Sequence, residues 1–215
     1  MGRLIAVVGN AGVGKTTLTH LLCQHSGFHD GLEQHARPFQ ALFAADHERY
    51  ALANQLDYLL LRAEQERAIR QHDAGGIVDG GLDVDFWVFS RYFAAKNYLS
   101  TAEWALCERL YRTLRHTLPP PDLVIHLVAS LDVVTERHRR RNRALEIAQT
   151  ADLAALDALL HAWLITLDPQ RILTVDASAD DPTWATALPA ILARIGDRGS
   201  GIRKLVRLHK TAIIE

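Results

Sequence analysis

Cysteine is scarce, with two residues in 215, Cys23 and Cys107, far apart in the chain. That excludes a disulfide framework, and both residues, set in apolar helical patterns, read as buried thiols. Long apolar runs are also missing. The first, Leu4-Ile5-Ala6-Val7-Val8, has strand length and stops at Gly9. It is shorter than the apolar core of a secretory signal, and no small-residue cleavage site follows it. No stretch approaches the about eighteen apolar residues of a membrane span. Charge of one sign is lacking as well: 24 Lys and Arg stand against 25 Asp and Glu, a formal net charge of −1. No basic field therefore argues for nucleic acid. Eleven histidines are many, but no pair stands in a zinc-ligand context. These absences point to a cytoplasmic protein without a membrane or nucleic-acid partner.

Apolar residues make up 48% of the chain, enough for the core of one globular domain. Buried strands are expected at 3–8, near 31–33, at 77–79, at 123–128 and at 171–175. Helices are expected at 14–25, 46–72, 85–95, 101–117, 131–145, 152–166 and 182–195. Gly75-Gly76 is taken to end the long helix and Thr101 to cap the helix after it. The stretch up to 45 reads as loop after its strand. Strands alternating with helices predict an α/β fold, a five-stranded parallel sheet flanked by helices. That domain spans 1–195. A glycine-rich, basic tail (196–215) follows, with Arg198, Arg203, Lys204, Arg207 and Lys210.

The strongest motif is Gly9-Asn10-Ala11-Gly12-Val13-Gly14-Lys15-Thr16, with Thr17 beside it. It matches G-x-x-x-x-G-K-[ST] and lies between a strand and a helix, where such a loop cradles phosphate. Glycines let backbone N–H groups curl around phosphate oxygens, and the helix N-terminus favours negative charge. Lys15 is placed to reach the β- and γ-phosphates, and Thr16 to bind Mg²⁺. The chain is thus expected to bind ATP with Mg²⁺. No N-K-x-D motif for guanine is present.

Further chemistry-bearing residues follow in order. Glu33 stands in Gly31-Leu32-Glu33. Gln55 and Arg62 are seven residues apart, two turns of one helix, around an apolar Leu56–Leu61 run. Asp79-Gly80-Gly81 ends a strand, Asp85 comes six residues after Asp79, and Phe89 four after that. Arg137, Arg141, Arg143 and Glu146 belong to the basic run 137–146. Taken singly, Glu33 reads as a loop glutamate and Gln55 and Arg62 as exposed helix residues.

In this order and with these gaps, residues 3–195 resemble the deoxynucleoside kinase family, of the P-loop NTPase type. The resemblance implies transfer of the ATP γ-phosphoryl group to the 5′-hydroxyl of a deoxynucleoside. It implies Glu33 as general base and Asp79 as a carboxylate for Mg²⁺ or for assisting the base. Gln55, Arg62 and Asp85 would read the nucleobase, with Phe89 packed on it. Residues 137–146 would form a lid whose Arg137, Arg141 and Arg143 meet the phosphates, while Glu146 meets the sugar 3′-hydroxyl. A homodimer through the 46–72 helix is implied too. The chain departs from the family at its acid-Arg-Ser triplet, here Asp79-Gly80-Gly81, which removes an arginine from the transferring phosphate; Arg91 or a lid arginine is the substitute on offer. Ala44 stands where some members carry a tyrosine. Other readings stay open: a P-loop kinase for a nucleoside monophosphate or a small alcohol, a weakly active nucleotide-binding switch, and an RNA-binding NTPase using 137–143.

Overall fold

The computed structural model describes residues 1–31, 37–141 and 150–196, the side chain of Arg141 excepted. Strands β1 (Leu4–Val8), β2 (His29–Gly31), β3 (Gly76–Asp79), β4 (Leu123–Val128) and β5 (Ile172–Asp176) form one sheet in the order β2-β3-β1-β4-β5. Every pairing is parallel. The central strands are buried on both faces, which is why they read as unbroken apolar runs. Their alternation sorts side chains into two cores. Leu4, Ala6, Val8, Val78 and Val124 face one core, shared with α3 (His47–Gln71), α6 (Thr101–Thr117) and α8 (Leu153–Leu164). Ile5, Val7, Ile77, Leu123 and Ile125 face the other, shared with α1 (Lys15–Ser26) and α9 (Leu188–Gly196).

Several elements differ from the sequence-based expectation. The stretch expected as loop contains α2 (Pro38–Ala45), which starts with proline in its first turn and buries Phe43. The helix expected over 85–95 starts earlier and is not uniform: α4 (Leu82–Val84), a π-helical stretch Asp85–Ser90 and α5 (Arg91–Ala95) run on from one another. The cap of α6 is Ser100 rather than Thr101; it accepts from Glu103 N–H, and the Glu103 carboxylate bonds back to the Ser100 N–H. Gly76 begins β3 instead of ending α3. The last helix begins at Leu188, because Trp184 before it adopts a left-handed φ of 53° that no α-helix continues through. α7 (Leu131–Arg141) follows β4. Strand β2 ends at Gly31; Leu32 and Glu33, residues 142–149 and the tail beyond Gly196 lie outside the described residues.

The strand order positions the site. β1 lies between β3 and β4, with Val7 opposite Asp79 and Val8 opposite His126. The chain crosses from one side of β1 to the other here, and such a switch at strand carboxyl ends opens a crevice for ligands.

Candidate active site

The phosphate loop leaves β1 and enters α1 through Gly14, whose φ is 105°. A Cβ here would be strained at that angle and would stand 3.1 Å from the Trp184 ring. No side chain caps α1, so its first N–H groups remain for an anion. Lys15 Nζ donates to the carbonyl oxygens of Gly9 (3.1 Å) and Asn10 (3.0 Å). The ammonium is thereby held over the loop, in bonds that phosphate oxygens can replace. Asn10 Oδ1 accepts from Ala11 N–H at 2.9 Å, and its Nδ2 donates to Leu153 O at 2.9 Å. One buried side chain therefore fastens the loop to the start of α8.

Asp79 meets Thr16 at the end of β3, where the Thr16 hydroxyl donates to Asp79 Oδ2 at 2.5 Å. Asp79 is 1% exposed, and its Oδ1 is buried without a hydrogen-bond partner. A hydroxyl and a carboxylate with one orphaned oxygen fit a hard cation such as Mg²⁺, which takes one or two protein oxygens and keeps several waters. Among the described residues no group of three or more His, Cys, Asp or Glu could hold a metal.

The residues that the resemblance assigns to the nucleobase converge on Asp85. Gln55, Arg62 and Asp85 are buried, at 1%, 2% and 6% exposure, so the first two are not the solvated helix residues they resemble singly. Gln55 Nε2 donates to Asp85 O at 2.7 Å, and Arg62 Nε to Asp85 Oδ2 at 2.8 Å. Ser90 Oγ also donates to Asp85 O, at 3.1 Å, across the π-helical turn. Phe89 is half-buried against the core.

Arg137 joins α7 to the loop after β5, donating to the carbonyls of Ala177 (2.7 Å), Ser178 (3.2 Å) and Ala179 (2.6 Å). Thr17 is exposed in the first turn of α1, and Ala44 is exposed on α2. Glu33, Arg143 and Glu146 lie outside the described residues, as does the side chain of Arg141. Arg91 does not join the phosphate loop in any described contact. Its guanidinium lies 4.3 Å over the Trp87 ring, and that indole donates to Tyr111 of α6.

Sequence reasoning missed the support behind this site. Glu66 accepts from Leu82 N–H at 3.1 Å and from both terminal nitrogens of Arg115, at 2.6 and 3.0 Å. Arg115 also donates to Asp83, which accepts from Tyr111 as well. Burial pushes the Glu66 carboxyl above its ordinary value, and Arg115 opposes that shift. The network pins the segment between Asp79 and Asp85. Its signal was the continuation of a polar face on α3, Arg62 then Glu66, one turn apart.

A model of the deoxynucleoside kinase family matches residues 5–189. The chain is 29% identical over 147 residues to a deoxyadenosine/deoxycytidine kinase of Bacillus subtilis (strain 168), covering 67% of this chain and 68% of that protein. It is 25% identical over 189 residues to a deoxyguanosine kinase of the same organism, covering 82% and 87%. The fold superposes on a deoxyadenosine kinase from M. mycoides, solved with products dCMP and a flexible dCDP bound, with a TM-score of 0.74 and 19% identity over 89% of this chain and 98% of that one.

Proposed function

The chain belongs to the deoxynucleoside kinase family of ATP-dependent phosphotransferases, and from that premise we propose which of its residues carry γ-phosphoryl transfer to a deoxynucleoside 5′-hydroxyl. The observation that carries the assignment is Thr16 meeting Asp79 where β3 ends beside β1, with Lys15 held over the phosphate loop and Gln55 and Arg62 both bonded to Asp85. The loop N–H groups of 9–17 and Lys15 hold the donor phosphates. Thr16 and Asp79 would hold Mg²⁺, which would supply charge neutralisation at the phosphates. Glu33, two residues beyond β2, takes the proton from the attacking hydroxyl. Gln55, Arg62, Asp85 and Phe89 seat the base, and Glu146 the sugar. Arg137, Arg141 and Arg143 meet the phosphates, where guanidinium charge is worth most in the transition state.

A slow, switch-like nucleotide binder is the second reading, favoured by Gly80-Gly81 in place of a cationic side chain. The assembly is a homodimer through α3 and α6. Its supporting observation is Leu60, 47% exposed on α3 beside a groove that Leu114 and Leu118 also line. The compartment is the cytoplasm, in keeping with two free thiols.

The test is ATP-Mg²⁺ with the four deoxynucleosides, ribonucleosides and monophosphates, read by mass spectrometry beside Glu33→Gln. The expected result is a deoxynucleoside 5′-monophosphate that the variant fails to make. Tight ATP binding with no product from any acceptor would favour the switch.

A further inference from the structure

Asn54 is 1% exposed, and neither Nδ2 nor Oδ1 has a hydrogen-bond partner. Among the described residues it is the one buried side chain with both polar atoms orphaned. A buried amide without partners is costly, and native interiors rarely keep one unless a water or ligand completes it. A leucine has the same branched outline, is somewhat larger, and would fill such a place without that polar cost. Asn54 immediately precedes Gln55 on α3, whose amide is tied to Asp85 O. Ala51 and Tyr58, on the same side of the helix one turn away, are buried as well. Asn54 is thus next to the Gln55–Arg62–Asp85 group in the chain, about 100° round the helix from Gln55, and takes no part in its bonds.

We propose that Asn54 is a specificity-determining residue that hydrogen-bonds the acceptor nucleobase. An amide offers N–H donors beside a carbonyl acceptor, so its complement is a base edge carrying an acceptor beside a donor. The bound nucleoside supplies the missing partners, and a base lacking one of them leaves the amide unsatisfied again. The inference rests on the deoxynucleoside kinase reading. It adds a base contact that the family resemblance does not supply.

The experiment compares wild type, Asn54→Leu and Asn54→Ser in three measurements: acceptor KM, ATP KM and melting temperature. The acceptor KM is expected to rise about tenfold or more, the loss of one good hydrogen bond, with the ATP KM unchanged. The melting temperature of Asn54→Leu is expected to stay level or rise, since an unsatisfied amide has gone. A structural amide bridged by an internal water gives the opposite pattern, a lower melting temperature with unchanged acceptor KM, and overturns the proposal. Asn54→Ser keeps the acceptor measurement available if the leucine variant does not fold. Deoxynucleosides lacking one ring nitrogen or exocyclic amine should lose their sensitivity to the substitution. If 2′,3′-dideoxynucleosides lose it instead, the contact is to the sugar hydroxyl and the base assignment falls. A wild type that phosphorylates no deoxynucleoside refutes the kinase reading, whereas a working kinase indifferent to Asn54 refutes only this inference.

Discussion

An arginine at position 80 would place a Cβ 3.6 Å from Arg62 Nη2, on a backbone with φ of 84° followed by Gly81 at 97°. L side chains pay about 1–2 kcal/mol for such a conformation, and two guanidinium groups would compete for one space. Gly80→Arg is therefore expected to lower the melting temperature without raising kcat. A gain in kcat would show that the loop relaxes to accept the family's arginine. At Lys15 the expectation is loss of charge stabilisation alone. The ammonium touches only loop carbonyls among the described residues, so Lys15→Met should leave the melting temperature nearly unchanged. It should cut kcat/KM by about two to three orders of magnitude; steady-state kinetics beside a melt separates the two effects. The phosphate loop was legible because its spacing is its chemistry. Gln55 and Arg62 were not legible singly, since a polar residue beside an apolar run suits an exposed helix as well as a buried pocket. Only Asp85, brought from another element, decides between them.

At the scale of elements, α6 starts with a reciprocal cap whose acid is tuned by it. The Ser100 hydroxyl and its backbone N–H hold the Glu103 carboxyl below its ordinary value of 4.5. A depressed carboxyl contributes stability above the unfolded value and loses it as pH falls through the folded one. Ser100→Ala should cost about 1 kcal/mol at neutral pH, and the difference from wild type should shrink below about pH 4; denaturant melts across pH 3–7 would read this. The Glu66–Arg115–Asp83 network is a larger matter, because its carboxylates are nearly dry. Arg115→Met strands both of them and is expected to cost about 3–5 kcal/mol. The acceptor KM should rise as well, because the chain between Asp79 and Asp85 loosens; an unchanged KM would separate this network from the site. The strands and long helices were legible from period and length. The short α2 was not, and neither was the π-helical turn at 85–90, whose apolar spacing hardly differs from that of an α-helix over six residues.

For the whole molecule the open term is assembly. Only Cys107 of α6 is buried among its residues, and Leu60 of α3 stands exposed beside the same groove. Leu60→Glu is expected to shift a dimer toward monomer in sedimentation velocity while ATP binding persists; an unchanged sedimentation coefficient would place the interface elsewhere or leave the wild type a monomer. The sequence by itself determined the parallel α/β architecture, since strands buried on both faces must be continuously apolar. It also determined the phosphate loop, whose glycines and lysine act through local backbone geometry. The tertiary structure decided what depends on partners distant in the chain. Asp79 meets Thr16 because β3 pairs beside β1. Arg62 and Gln55 become a buried site because Asp85 arrives between them. Glu66 finds its counter-charge 49 residues later in Arg115. Spacing along a chain encodes which face a residue occupies; which group from another segment meets it there is fixed only when the elements pack.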